Sequence, residues 1–116
     1  MALDRPIHEY PSIQTWIQGL TEQWGEPPSD LDDRLRVVES FCRFVQGDPD
    51  SLIAECSREV ESGKRIRIKV RRHYSERIAD FQSTLAGDAR TKTRAANIVR
   101  SFFIHNGIFM QAGLRE

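Results

Sequence analysis

The sequence predicts an all-α fold, a compact orthogonal bundle of four to five helices. Apolar residues recur at spacings of three and four positions in five segments of the 116-residue chain, which is the period of an amphipathic helix. Glycine and proline turn signals separate these segments, so the connecting loops are expected to be short. The predicted helices cover residues 12–24, 30–46, 48–62, 66–85 and 88–108.

The first two helices carry clear apolar faces. Helix 12–24 is expected to end at Gly25, and helix 30–46 to be capped by Ser29 or Asp30, whose side chains can accept hydrogen bonds from first-turn N–H groups. The wider apolar stripe of the second helix indicates burial on more than one side, as in a central core helix. The core face predicted for the first helix consists of Ile13, Trp16, Ile17, Leu20 and Trp24.

Capping chemistry predicts the ends of the later helices. Asp48 followed by Pro49 is a strong helix start, because Asp accepts first-turn hydrogen bonds and Pro suits the first helical position. Asp88 or Thr91 can cap the last helix in the same way. Gly107 is the expected stop of that helix, since glycine accepts the left-handed conformation that ends a helix.

Residues 64–71 fit two kinds of secondary structure. Apolar and basic side chains alternate there, which is a strand signature, yet Ile66, Val70 and Tyr74 also fall on one helical face. The sequence shows no obvious partner strand, and an isolated strand would leave its backbone groups unpaired. We therefore predict a helix over residues 66–85.

The net charge of zero hides an asymmetry between the two parts of the chain. Residues 1–63 hold 5 Lys and Arg against 13 Asp and Glu, a net charge of −8, whereas residues 64–100 hold 11 against 3, a net charge of +8. Such a basic part suggests a polyanionic partner, because neutralising phosphates releases counterions. The alternative is that the acidic part simply packs beside the basic part.

The last helix, residues 88–108, is predicted to dock on DNA. Phe102 and Phe103 should anchor it in the core, and no acidic residue follows its first position. We expect the threonines near its start to hold a phosphate together with helix-terminal N–H groups, Asn97 to pair with adenine and Arg100 with guanine. A solvated basic face on an ordinary core helix is the competing interpretation. The expected contact residues are Thr91, Lys92, Thr93, Arg94, Asn97 and Arg100.

A second set of basic residues is expected to contact phosphates. Arg65, Lys69 and Arg72 share one face of the helix predicted over residues 66–85 and its approach, opposite the apolar stripe. Phosphate contacts of this kind carry no sequence information. The alternative is a solvated face that contacts nothing.

Enzyme and metal motifs are absent from the sequence. His8, His73 and His105 have no His or Cys at metal-ligand spacing, and there is no glycine-rich phosphate loop. The acidic cluster at residues 30–33 suits the positive end of a helix without a divalent ion. We therefore expect no catalytic residues, no metal and no cofactor in this chain.

Compartment signals point to the cytoplasm. No apolar run approaches the roughly 20 residues that a membrane helix needs, and no secretory leader is visible. Cys42 and Cys56 both fall on apolar faces of predicted helices and are interpreted as reduced core residues. We expect a cytoplasmic protein with no membrane partner.

Two segments carry a resemblance to a known family. In the first, Phe-Cys-Arg-Phe at 41–44 is followed by Asp-Pro-Asp-Ser-Leu-Ile at 48–53. In the second, Thr91 leads to Val-Arg-Ser-Phe-Phe at 99–103 and then to Asn-Gly-Ile at 106–108. In this order and spacing the chain resembles the core-binding (SAM-like) domain of tyrosine recombinases, the phage-integrase family, and most of all its archaeal members.

The resemblance implies both a fold and a function. In such recombinases this small helical domain forms half of a clamp around duplex DNA at the core recombination site, so the implied partners are double-stranded DNA and protomers of the same recombinase. A separate carboxy-terminal domain cleaves DNA through a tyrosine, so this fragment is not expected to be an enzyme. The implied organisation is a flexible arm at 1–11, the core-binding domain at 12–109, and the start of a linker to the catalytic domain at 110–116.

One departure from the family pattern shifts the expected DNA surface. The family's central helix usually opens with a Thr and carries a Tyr one turn later, whereas this sequence has Asp30 and Arg34 there, beside Asp32 and Asp33. Carboxylates repel phosphate, so the expected DNA contact moves to the last helix and to the basic run before it.

Two other functions fit the same composition. A helical protein-interaction module could use the same bundle without DNA, and a stand-alone helix-turn-helix regulator could bind DNA without recombination. A reading frame that continues past Glu116 into a domain with the catalytic tyrosine motif would favour the recombinase.

Overall fold

Five α-helices and one two-stranded hairpin form the part of the chain that this computed structural model describes, residues 3–60 and 63–110. The predicted all-α class is confirmed. The elements are α1 (Pro11–Trp24), α2 (Leu31–Val45), α3 (Pro49–Cys56), β1 (Ser57–Val60), β2 (Gly63–Ile66), α4 (Ile68–Thr84) and α5 (Ala89–His105).

The core is built around α5, which packs against α1, α2 and α4. Phe103 lies 6.3 Å from Phe41 of α2 and 5.8 Å from Tyr74 of α4, measured between ring centroids. Phe102 meets Trp16 of α1 edge to face at 5.9 Å. The burial predicted for both phenylalanines is confirmed. The central helix is α5, with seven buried residues, and not α2, which has three.

The hairpin replaces the helical conformation predicted for residues 57–60 and 66, and residues 61–62, also predicted as helical, lie outside the described residues. β1 and β2 pair antiparallel, with Ser57 opposite Ile66, and the Arg67 N–H donates to the Cys56 carbonyl at 2.7 Å. The alternation noted over residues 64–71 therefore marks a strand only as far as Ile66, where the helical prediction was wrong. From Ile68 to Thr84 the predicted helix is confirmed. The sequence did not predict the partner strand β1, because Ser-Arg-Glu-Val at 57–60 has a single apolar residue and no strand pattern of its own.

Three predicted helix ends are confirmed. The Asp48 carboxylate accepts a hydrogen bond from the Ser51 N–H at 2.8 Å, and Asp88 accepts one from the Thr91 N–H at 2.9 Å. Gly107 has a φ of 89°, the left-handed conformation expected after the last helix. Local chemistry was sufficient to locate these ends.

The amino-terminal segment predicted as a flexible arm packs on the bundle in its described part. Residues Ile7–Glu9 form a 3₁₀ turn, and Tyr10 is only 2% exposed. The Tyr10 hydroxyl donates to the Asp4 carboxylate at 2.6 Å. At the other end, Met110 is buried, and the rest of the predicted linker, 111–116, lies outside the described residues.

Trp24 was predicted to lie on the core face of α1, and this prediction was wrong. It is the last residue of α1 and is 55% exposed, whereas Leu20, one turn earlier, is buried. The Arg34 guanidinium lies 5.5 Å from the centre of its indole ring. A cation–π contact with α2 therefore replaces core burial at this end of α1.

Replacing Phe103 with Ala should lower the free energy of unfolding by about 3–5 kcal/mol, because it removes a fully buried ring that touches two other helices. The matched control is Phe109→Ala, since Phe109 is 58% exposed and its loss should change stability by about 0.5 kcal/mol or less. Urea unfolding of the two variants, followed by circular dichroism, measures both values. Equal losses would contradict the central role of α5.

Candidate nucleic-acid interface

The sequence-predicted contact residues fall into two groups at opposite ends of the α4–α5 pair. The two helices run antiparallel, since the Gln82 side-chain amide donates to the Thr93 hydroxyl at 3.3 Å while Tyr74 lies beside Phe103. One group therefore lies on the first two thirds of α5. The other lies on β2 and the first turns of α4, and Lys69 is roughly 20 Å from the level of Thr93, because 13 residues at 1.5 Å each separate Lys69 from Gln82.

A groove of about 670 Å³ runs beside the first half of α5 and faces α2. Thr91, Thr93 and Asn97 are exposed on this part of α5, and Lys92 is half-buried. Arg90, which was not in the predicted contact set, also lines the groove. Its lining residues are Arg34, Ala89, Arg90, Thr93, Arg94, Asn97 and Ile98.

Arg94 is held by two carboxylates of the α2 amino-terminal end. Its guanidinium donates to Asp33 at 2.9 Å and to Asp30 at 2.7 Å, and Arg34 donates to the other oxygen of Asp30 at 2.8 Å. These four residues are here called the α2–α5 ion cluster. Asp30 makes no capping hydrogen bond to α2, so the capping role predicted for its side chain was wrong.

The ion cluster shifts the pKa values of Asp30 and Arg94. Hydrogen bonds from Arg34 and then Arg94 lower the pKa of Asp30 below its usual value, because they stabilise the carboxylate. The hydrogen bonds to Asp33 and Asp30 raise the pKa of Arg94 further above its usual value. Both shifts favour the charged forms of Asp30 and Arg94.

Arg100 lies inside the bundle and not on the expected DNA surface. It is 8% exposed, and burial lowers its pKa. Its guanidinium donates to the Asn97 side-chain oxygen at 2.7 Å. The guanine contact expected of Arg100 would require this side chain to leave its buried position.

The start of α5 is already capped from within the chain. The Thr91 N–H that was expected to help hold a phosphate donates to Asp88, and this hydrogen bond lowers the pKa of the Asp88 carboxyl. The Thr93 hydroxyl accepts a hydrogen bond from Gln82. A phosphate at this helix end would therefore meet a carboxylate first.

The second group forms what is here called the cationic patch, on β2, the turn after it and the start of α4. Arg65, expected on a helix, lies on β2, so the shared helical face predicted for it was wrong. Lys69 and Arg72 lie on α4 and are exposed, as expected for phosphate contacts. The patch consists of Arg65, Arg67, Lys69, Arg71 and Arg72.

The patch differs from the α5 group in its ion pairs. None of its five cations lies within ion-pair distance of a carboxylate of residues 3–57 or 65–110, the ranges whose side chains the structure describes, and the sequence has no acidic residue from 62 to 75. A groove of about 310 Å³ runs along residues 65–70. Arg67 occupies the cap position of α4 and makes no side-chain capping bond, and the first turn has no acidic residue. The positive end of a helix therefore opens beside the cations.

The residues that the structure describes contain no cluster of metal-ligating side chains and no membrane-spanning helix. No three His, Cys, Asp or Glu side chains converge there as a metal site would need. No helix described in the structure is long and apolar enough to cross a bilayer.

Acidification should weaken the α2–α5 junction through Asp30. Its pKa is lowered in the folded chain, so its stabilising contribution is complete above the unfolded pKa of about 4 and is lost as pH falls through the folded value. The melting temperature of the wild type should exceed that of Asp30→Asn near about pH 7, and the difference should shrink towards about pH 3. Asp32→Asn is the control, because Asp32 shares the first turn of α2 but makes no ion pair with a described residue. An equal pH-dependent difference for Asp32→Asn would show that the helix dipole alone is responsible.

Comparison of the chain with models of known protein families, with curated proteins and with solved structures found no match.

Proposed function

We propose that this chain is the DNA-binding domain of a site-specific recombinase of the tyrosine recombinase type, and that the cationic patch is its main contact with duplex DNA. One observation carries the proposal. Five cations lie within residues 65–72, without an ion-pair partner among the carboxylates of residues 3–57 and 65–110, beside the amino-terminal end of α4, which has no side-chain cap.

Binding of a polyanion explains the patch better than solvation by water and simple ions does. Phosphates along a duplex release condensed counterions when Lys and Arg neutralise them, so several cations on one surface add to affinity. The first N–H groups of a helix that has no side-chain cap can also donate to a phosphate oxygen. A protein partner would need matching carboxylates, whereas any duplex supplies phosphates at regular spacing.

The resemblance to recombinase core-binding domains supports the more specific part of the proposal. Its second segment, which ends in Asn-Gly-Ile, has a clear structural role here. The Asn106 amide donates to the carbonyl oxygens of Ser12 and Phe102, at 3.1 and 2.9 Å, and so ties the end of α5 to the start of α1. The resembling residues thus maintain the bundle, while the patch supplies the charge for DNA.

The proposal assigns binding and not strand cleavage to this chain. The His-x-x-Arg and tyrosine segments of recombinase catalysis are absent from the sequence, so chemistry would belong to another domain of the same protein. The reading frame that encodes this chain should accordingly include a domain with that motif. Its absence would favour a DNA-binding regulator over a recombinase.

The triple variant R65A/K69A/R72A should bind all duplex sequences more weakly, and about equally so, because phosphate contacts do not read bases. The slope of log affinity against log salt concentration should fall in magnitude by about 2 to 3, at about 0.9 for each phosphate that the variant no longer neutralises. Fluorescence anisotropy with labelled duplexes of different sequence, over a salt series, measures both effects.

The control for this variant is R5A/R36A/R43A, which removes the same charge from three exposed arginines outside the patch. It should change the slope much less than the patch variant does. Equal effects of the two triple variants would mean that net charge, and not the patch, governs binding. A wild type whose affinity does not change with salt would contradict DNA binding through phosphates and favour a protein-interaction module.

A further inference from the structure

The ion cluster is the feature of this molecule that the proposed function leaves unexplained. Arg94 lies on the first half of α5, at the edge of the groove that faces α2. Both of the carboxylates that hold it come from the first turn of α2 and its cap position, 61 and 64 positions away in the sequence. An arginine that could face DNA is thus neutralised by the acidic part of the chain.

We propose that Asp30 and Asp33 act as built-in counterions that keep Arg94 away from DNA phosphates, so that the groove beside α5 is a second and suppressed phosphate-binding surface. The inference rests on the proposed function, because it concerns how the same domain contacts duplex DNA. The inference adds a restraint on the contact between the domain and DNA, and Asp30 and Asp33 impose this restraint.

The geometry of the cluster explains why carboxylates can stand in for phosphate. Two nitrogens of the Arg94 guanidinium donate to two different carboxylates, at 2.7 and 2.9 Å, so both ends of its fork are occupied. Arginine recognises phosphate with this same pair of donors. A phosphate that binds this pair of donors must therefore displace Asp30 and Asp33 from Arg94 and then remain close to their negative charges.

The other polar groups of the groove are suited to an acceptor ligand. Arg90 lies one turn before Arg94 and makes no ion pair with a described carboxylate. Asn97 presents its NH₂ group outward, because its oxygen must face Arg100, whose guanidinium has only donors. Apart from the two carboxylates at its edge, the polar groups of the groove are thus mainly hydrogen-bond donors and positive charges.

The ion pairs of the cluster are weak, so the restraint that they place on Arg94 can be changed. The side chains of Arg94, Asp30 and Asp33 are 45%, 37% and 49% exposed, and exposed ion pairs are screened by salt and solvent. Removing the carboxylates should therefore free Arg94 without changing the core. The consequence for the native chain is that binding depends on the cationic patch, with little contribution from Arg94.

The test is a cycle of variants titrated with labelled duplex over a salt series. D30N/D33N should bind about five- to tenfold more tightly than the wild type at low salt, with a slope steeper by about 0.9 for each additional phosphate that it neutralises. The control, E39Q/D80N, raises the net charge by the same two units and frees Arg43 and Arg77 from their own ion pairs, which lie outside the groove. It should give a clearly smaller increase in affinity.

Arg94→Ala separates the restraint from general charge effects. In the wild type it should change affinity less than twofold, because Arg94 is already neutralised. In the D30N/D33N background it should remove most of the increase in affinity. A loss of the same size in both backgrounds would overturn the inference, since Arg94 would then reach DNA despite the carboxylates.

The outcomes distinguish this inference from the proposed function. If no variant binds duplex DNA in a salt-dependent way, the proposed function fails and the inference fails with it. If the wild type binds but D30N/D33N binds no more tightly than E39Q/D80N, only the inference fails. Thermal melts identify variants that do not fold, and Asp33→Asn alone keeps the test available, because Asp33 contacts only Arg94 among the described ion pairs.

Discussion

The burial of α5 between three other helices is the constraint on which the rest of the structure depends. Phe102 and Phe103 extend in different directions from one turn of this helix, towards Trp16 on one side and towards Phe41 and Tyr74 on the other. Edge-to-face contacts between such rings add to the stability that their burial already provides. The exposed residues of α5 lie mainly on the first half of the helix.

The opposite charges of the two parts of the chain have two different structural outcomes. At one end of the α4–α5 pair, Asp30 and Asp33 pair with Arg94, which agrees with the expectation that the acidic part packs beside the basic part. At the other end, the cationic patch over residues 65–72 has no such partner among the carboxylates of residues 3–57 and 65–110. Intramolecular pairing therefore explains one basic region, and the proposed DNA contact concerns the other.

The hairpin decides how the cationic patch is presented. In a helix, Arg65 would have shared a face with Lys69 and Arg72, whereas on β2 it stands before the first turn of α4 and widens the basic surface. Strand pairing is harder to predict from sequence than helix periodicity, because a strand needs a partner strand. The sequence signal of the partner strand is weak here. The segment 57–60 carries that weak signal, and its pairing with β2 is fixed by contacts that periodicity does not report.

The sequence by itself determined the all-α class, most helix positions and the caps at Asp48 and Asp88, because those features depend on neighbours within three or four positions. It also placed Phe102 and Phe103 in the core. Only the tertiary structure decided that Arg94 meets two carboxylates more than 60 positions away, and that Arg100 turns inward while Lys69 and Arg72 stay exposed. Helical periodicity gives the angle of each side chain around its own helix. Which faces of a helix are buried, and which charges on neighbouring helices come into contact, depends on where the other helices pack.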